Sequence, residues 1–245
     1  MSNICEDDFM QQLMSYMRSA MDKYNMISDG DYIAVGVSGG KDSLALLCAL
    51  SEMRRFYGKQ YSLAAITIDM QFGGVPGDFS EISELCRRLG VKHIIRPSNL
   101  YELIFNQRKE KNPCSLCAKM RRGMLHDEAK KQGCEKIALG HHLDDAVQTF
   151  YMNLFLGGRI DCFAPVSYLS RKDLYLIRPM VFAYERDVSR AARTLNLPIR
   201  PELCPMGRTS QRAQMAKKIA ELEKEFGPLR QKTVNALQKS GIRGW

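Results

Sequence analysis

Six consecutive residues, Ser38-Gly39-Gly40-Lys41-Asp42-Ser43, combine two hydroxyls, two side-chain-free positions, one cation and one carboxylate. They follow the apolar run Tyr32-Ile33-Ala34-Val35 and lead into a helical pattern at Leu44, Leu47 and Cys48. A strand, a Gly-rich turn and a helix start make an anion site, because backbone N–H groups and the positive end of the helix dipole converge there. Gly39 and Gly40 let the backbone approach a pyrophosphate. Ser38 and Ser43 can donate hydrogen bonds, Lys41 brings charge, and Asp42 can help hold magnesium. The spacing excludes a Walker loop, which needs Gly, four residues and then Gly-Lys-Ser/Thr. Here three residues separate Gly36 from Gly40 and Asp42 follows Lys41. It is not a GxGxxG turn either.

Thiols form the second chemical feature. Cys114-Ser115-Leu116-Cys117 sets two of them one turn apart at a helix start. The helix dipole and the nearby Lys119, Arg121 and Arg122 are expected to favour their thiolates. A lone CxxC fits a redox pair, half a zinc site or part of an iron–sulfur site. Cys204, in Leu203-Cys204-Pro205, is a third candidate far away in the chain. Three cysteines without an obvious fourth ligand suit a 4Fe-4S cluster with one open iron. Structural zinc would need a fourth ligand such as His126 or Cys162. Cys5, Cys48, Cys86, Cys134 and Cys162 read as ordinary free cysteines, a residue type often buried.

A third feature is Gly140-His141-His142-Leu143-Asp144-Asp145, after a strand and at a helix start. Asp144 and Asp145 could hold magnesium or orient a nucleotide, since magnesium prefers one or two carboxylates plus phosphates. They also suit a helix N-terminus for purely electrostatic reasons. A phosphate loop on the same rim favours the catalytic reading. His141 reads as packing or hydrogen-bonding near the nucleotide, because the two histidines lack HExxH spacing.

The elements that must position these groups alternate. An amphipathic helix is expected from Phe9 to Met26, with Phe9, Leu13, Met17, Met21 and Tyr24 on one face. Strands are expected at Tyr32–Val37, Leu63–Ile68, Val91–Ile95, Lys136–Gly140 and Leu174–Ile177. Helices are expected at Asp42–Tyr57, Ser80–Leu89, Leu100–Glu110, Ser115–Gln132, Leu143–Leu156 and Glu185–Leu195. Two basic helical segments, Thr209–Phe226 and Leu229–Lys239, close the chain. Apolar strands between helices predict an α/β fold: a parallel five-stranded sheet with helices on both faces, an N-terminal helix and a C-terminal helical tail. The expected division is 1–30 for the N-terminal helix, 31–200 for the nucleotide-binding catalytic domain and 201–245 for the C-terminal helical segment. Ligands of such sheets sit at the carboxyl ends of the strands. Ser38–Ser43, Asp69 and His141–Asp145 would all open on that rim.

Composition narrows the class. The 245 residues are 45% hydrophobic, enough for an ordinary core, and no apolar run approaches the ~18 residues of a membrane helix. Ile4-Cys5-Glu6-Asp7-Asp8 lacks the basic start and apolar middle of a signal peptide, so a cytoplasmic protein without membrane attachment is expected. A formal net charge of +9 suits a polyanionic partner.

Taken together, these motifs resemble the tRNA 2-thiocytidine biosynthesis (TtcA) family within the PP-loop ATP pyrophosphatases, which share the adenine nucleotide alpha hydrolase-like fold. The matching pieces are Tyr24-Asn25-Met26-Ile27, the SGGxDS loop Ser38–Ser43, Cys114-Ser115-Leu116-Cys117 with Arg121-Arg122-Gly123, and Lys136-Ile137-Ala138-Leu139-Gly140-His141-His142 with Asp144-Asp145. Gln148-Thr149, Gly157-Gly158, Ile177-Arg178-Pro179, Leu203-Cys204 and Gln211-Arg212 continue the match. The resemblance runs from about residue 9 to 220. It implies ATP and Mg2+ at Ser38, Gly39, Gly40, Lys41, Asp42 and Ser43, aided by Asp69, Gly140 and His141. It implies catalytic roles for Asp42, Asp144 and Asp145, and a 4Fe-4S cluster on Cys114, Cys117 and Cys204. It implies adenylation of O2 of cytidine 32 in a tRNA anticodon loop, then replacement of that oxygen by sulfur. Its implied partners are tRNA and a sulfur donor such as a cysteine desulfurase, with a homodimer as one assembly the chain could adopt. Arg108, Lys109, Lys111, Lys119, Arg121, Arg122, Arg208, Arg212, Lys217 and Lys218 could meet tRNA phosphates. The chain departs from the family at Pro205-Met206-Gly207-Arg208 and in a shorter C-terminal part. Alternatives are the same chemistry on a tRNA uridine or a small molecule, a non-catalytic RNA-binding or redox-sensing cluster protein, and a zinc-supported amidating or lysine-transferring enzyme.

Overall fold

The computed structural model of the protein describes residues 8–107, 113–201, 204 and 211–245. Helix α1 (Asp8–Lys23) buries Met10, Leu13, Met17 and Met21, the i, i+3/i+4 stripe of an amphipathic helix. It packs on the later helix α6 (Glu185–Thr194) and on α2 (Lys41–Met53). Between these lie β1 (Asp31–Gly36), β2 (Tyr61–Asp69), α3 (Ser80–Arg88), β3 (Lys92–Pro97), α4 (Pro113–Lys131), β4 (Lys136–Ala138), α5 (Leu143–Gly157), β5 (Val166–Leu169) and β6 (Leu174–Ile177). Helices α7 (Gln211–Phe226) and α8 (Leu229–Ser240) follow α6.

The sheet has six strands in the order β3-β2-β1-β4-β6-β5. The five expected strands are present and mutually parallel. The expected five-stranded sheet is corrected by β5, a sixth strand antiparallel to β6 at the sheet edge. It is four residues long and returns through a tight hairpin in which Asp173 takes a positive φ of 49°. Such a strand has too few residues to show alternation.

Strand order reverses between β1 and β4. The connection from β1 leads towards β2 on one side, whereas β4 lies on the other. A crevice therefore opens above these two strands at their carboxyl ends, the place where α/β sheets bind ligands. Helix α2 anchors the phosphate loop because Leu44, Leu46, Leu47 and Leu50 are fully buried. Each such side chain contributes about 1.5–3 kcal/mol on burial. Under α4 a second cluster joins Ala34, Ile66, Leu125, Ile137 and Leu176 and holds that helix over the opposite face.

The basic segments near the C-terminus dock along α5. Arg212 Nη1 donates to Asp145 Oδ1 at 3.1 Å, and Arg230 Nε donates to Asp144 Oδ1 at 2.6 Å. Among the described residues no helix is long and apolar enough to cross a membrane. Cys5, Arg108, Lys109, Lys111 and Pro205–Arg208, singled out in the sequence, lie outside the described residues.

Candidate active site

The turn after β1 is shaped by its own hydroxyls. Ser43 Oγ donates to the Gly40 carbonyl at 2.9 Å and accepts the Ser38 N–H at 3.1 Å. Gly40 N–H in turn donates to Ser38 Oγ at 3.3 Å. Gly39 takes a φ of +85°, a conformation that glycine reaches without strain. The result is a preformed loop at the start of α2. Lys41 Nζ lies 2.8 Å from Asp42 Oδ1 and 3.1 Å from Glu185 Oε1. Burial opposes the lysine's charge, but the two carboxylates outweigh it and raise its pKa.

Gly140, two residues beyond β4, sits directly against this loop. A Cβ there would stand 3.1 Å from the Asp42 carbonyl carbon and 3.2 Å from Ser43 N. These are backbone atoms, so the contact cannot be relieved by a rotamer change. Gly140→Ala is expected to destabilise the protein by about 1–3 kcal/mol through overpacking. Thermal unfolding with and without MgATP checks this: an unchanged Tm in both conditions contradicts the close approach.

A cleft of about 400 Å³ opens in front of the loop. Ser38, Gly39, Gly40 and Asp69 line it, as do Cys117, Arg121 and Cys204. Phe72, Val75 and Phe79 add an apolar side. Thus the carboxyl ends of β1 and β2, the first turns of α4 and the segment carrying Cys204 meet in one place. Cys114 is exposed one turn before Cys117. Cys117 and Cys204 line the same cleft, and Cys114 lies three residues before Cys117 on α4. The expected acidified thiol is corrected here: burial raises the Cys117 pKa, Arg121 lowers it, and the two neighbouring cysteines raise it again, for a net rise.

Among the described residues no three His, Cys, Asp or Glu side chains could hold a metal ion together. The proposed fourth zinc ligands are elsewhere. Cys162 is buried with its thiol directed at the Ala146 carbonyl at 3.4 Å, and burial pushes its pKa up to about 12. His126 lies nine residues along α4 from Cys117, about 13 Å by helical rise. A 4Fe-4S cluster places its thiolates on different irons and so draws on a wider triangle of sulfurs than a single ion does. The donor set of three cysteine sulfurs around Cys117 fits that group better than zinc.

The remaining site candidates organise the cleft. Both carboxylate oxygens of Asp69 accept backbone N–H groups, from Gln71 at 3.0 Å and from Gly77 at 2.9 Å, which ties down the loop after β2. Asp145 caps α5 by accepting the His142 N–H at 3.1 Å. Its carboxyl pKa is lowered: burial opposes this, but His142, His141 and Arg212 prevail. Asp144 accepts the Glu185 N–H at 2.8 Å as well as Arg230. Neither Asp144 nor Asp145 lines the cleft. Asp42 does not line it either, although 32% of its side chain is exposed. His141 packs on Phe163 at 5.2 Å, and burial, aided by Arg178, pushes its pKa down to about 4. It is therefore a neutral ring near pH 7.

Two neighbours of the loop went unnoticed in the sequence. Arg200 N–H donates to the Gly39 carbonyl at 3.0 Å, and its guanidinium lies 3.9 Å over the Phe79 ring. Glu185 reaches Lys41 from the start of α6. Arg200 lies between Pro198 and Pro201 without a periodic pattern, and Glu185 reads as an ordinary acidic residue of a helix first turn.

Comparison with known proteins agrees with this architecture. Residues 9–201 match the PP-loop domain family. The chain is 38% identical over 221 residues to the tRNA-cytidine(32) 2-sulfurtransferase of Geobacter sulfurreducens, covering 89% of this chain and 85% of that protein. It is 33% identical to the protein of the same name from Dechloromonas aromatica, covering 94% and 81%. Among solved structures, the U34-tRNA thiolase NcsA from Methanococcus maripaludis with its 4Fe-4S cluster has a similar fold. The TM-score is 0.75 at 22% identity, over 94% of this chain and 78% of that one. Matched in sequence across most of its length, this chain belongs to the tRNA-cytidine(32) 2-sulfurtransferase family of PP-loop proteins.

Proposed function

We propose that this protein is an ATP-dependent tRNA sulfurtransferase that converts cytidine 32 of the anticodon loop to 2-thiocytidine. The observation that carries this reading is one cleft lined both by the phosphate loop and by Cys117 and Cys204. The oxygen at C2 of a pyrimidine leaves poorly. Attack of that oxygen on the α-phosphorus of ATP expels pyrophosphate and makes the oxygen part of an AMP ester. A sulfur nucleophile at the sulfide level then adds to C2, the C2–O bond breaks and AMP departs. ATP supplies all the activation, and no net oxidation of the base occurs.

The chain's residues divide that work. The N–H groups and hydroxyls of Ser38–Ser43 cradle the β and γ phosphates, Lys41 offsets their charge and Asp42 holds magnesium. Asp69, Gly140, Asp144 and Asp145 keep the surrounding loops in place. His141, as a neutral ring, offers packing rather than charge. Cys114, Cys117 and Cys204 would hold a 4Fe-4S cluster, which when bound supplies an iron to carry the sulfur. The exposed Lys119, Arg122, Lys217 and Lys218, with the half-buried Arg121 and Arg212, supply positive charge for the tRNA backbone. The target base must be splayed from its loop to reach the cleft.

Mass spectrometry of tRNA nucleosides from a strain lacking this protein tests the reading. Loss of 2-thiocytidine, restored by the intact gene, is the expected result. Loss of 2-thiouridine instead transfers the activity to a uridine, and an unchanged nucleoside profile overturns the proposal.

A further inference from the structure

We propose that Glu185 is a positioning residue that aims the Lys41 ammonium at the phosphates of bound ATP, and that Asp144 and Arg230 hold Glu185 in place. The proposal rests on the reading of Ser38–Ser43 as an ATP loop. It assigns to Asp144 a task other than contact with nucleotide or metal.

Four contacts form a continuous chain. Arg230 Nε, on α8, donates to Asp144 Oδ1 at 2.6 Å. Asp144 Oδ2 accepts the backbone N–H of Glu185 at 2.8 Å, which fixes the first residue of α6. The Glu185 carboxylate reaches Lys41 at 3.1 Å, and Lys41 reaches Asp42 at 2.8 Å. Arg230 is itself paired with Glu223 of α7. The two helices near the C-terminus are thereby connected to the phosphate loop through four side chains and the Glu185 backbone N–H. An ammonium has three N–H donors. Asp42 and Glu185 direct two of them, and the geometry assigns the third to phosphate. A lysine side chain free to rotate would pay rotamer entropy on binding that this arrangement has already removed.

Asp144 is nearly buried between its two partners, whereas 47% of the Glu185 side chain is exposed. Glu185 is therefore the link that can be altered without opening the core. Its own N–H bond to Asp144 is a backbone bond that alanine or glutamine retains. The loss of a carboxylate from a helix first turn has only a small effect on stability.

The test is a double-mutant cycle on the full-length, cluster-loaded protein, read by calorimetric titration with MgATP. Glu185→Ala is expected to weaken binding about tenfold, with Glu185→Gln in between because it keeps an acceptor. In a Lys41→Ala background the same change is expected to cause no loss and a slight gain, since the carboxylate then only repels phosphate. A purely structural role cannot produce that reversal of sign. Equal losses in both backgrounds, or no loss in either, overturn the relay. Nucleoside analysis separates the two readings: wild-type protein that binds MgATP but leaves tRNA without 2-thiocytidine refutes the proposed function and leaves the cycle standing. No MgATP binding by the wild type overturns both.

Discussion

Asp42→Ala is expected to reduce tRNA-dependent pyrophosphate release by about a thousandfold, the scale seen when a preorganised electrostatic or metal-holding group is removed from a transition state. Asp42 occupies the first turn of α2, within the loop proposed to cradle phosphate, and it is the most open of the three carboxylates expected to act in catalysis. One of its oxygens engages Lys41, and His142 Nε2 faces the same oxygen at 3.9 Å. A magnesium ion on this carboxylate would neutralise charge as pyrophosphate departs. Two consequences of the change can be told apart. Loss of the helix-dipole interaction costs at most about 1 kcal/mol and leaves the protein folded. Loss of the metal-holding group removes the reaction. Asp42→Asn keeps size and one acceptor and is expected to be nearly as inactive. Iron content should stay at the wild-type level in both variants, because the side-chain contacts of Asp42 are to Lys41 and His142. Pyrophosphate release within about tenfold of wild type would remove Asp42 from the reaction.

The strand–loop–helix around Ser38–Ser43 was legible because local chemistry fixes it. Glycines at a turn, an apolar strand before it and leucines at helical spacing after it all constrain neighbouring residues. The rim position of Asp69 and His141 was legible for the same reason, once five parallel strands were recognised. What those residues do once placed there was not. Asp69, Asp144 and Asp145 spend their oxygens on backbone N–H groups or arginines contributed by other segments, and no spacing rule encodes such partners. Burial is equally invisible in a local window. A CxxC beside basic residues reads as an acidified pair, yet the packing of α4 raises the Cys117 pKa. Helix α6 shows the same limit: its acidic first turn was readable as dipole complementation, but the reach of Glu185 to Lys41 depends on α2 and α6 being packed together.

Cys204→Ala is expected to strip iron from the protein while leaving MgATP affinity within about twofold of wild type. Loss of an outer-shell partner already costs about 10–100-fold in metal affinity, so loss of a direct ligand should cost at least as much. Cys204 lies 87 residues beyond Cys117 in the chain, yet both line the same cleft. Its removal leaves Cys114 and Cys117, a single CxxC turn of α4, as the remaining sulfurs of the set. The nucleotide loop has no such dependence. Its shape comes from Ser38, Gly40 and Ser43, and its tie to the segment leading to Cys204 is the Arg200 N–H on Gly39, which the substitution does not touch. Anaerobic purification with metal analysis, paired with calorimetric MgATP titration, reads both halves. Full iron retention would mean that another residue completes the site. Zinc bound in place of iron, and lost with Cys204, would turn the cleft into a structural metal centre. Iron and MgATP affinity lost together would mean that Cys204 supports the fold of the whole cleft rather than a separate cofactor. Loss of iron alone separates activation of the base from delivery of sulfur, two chemistries served by different residues of one cleft.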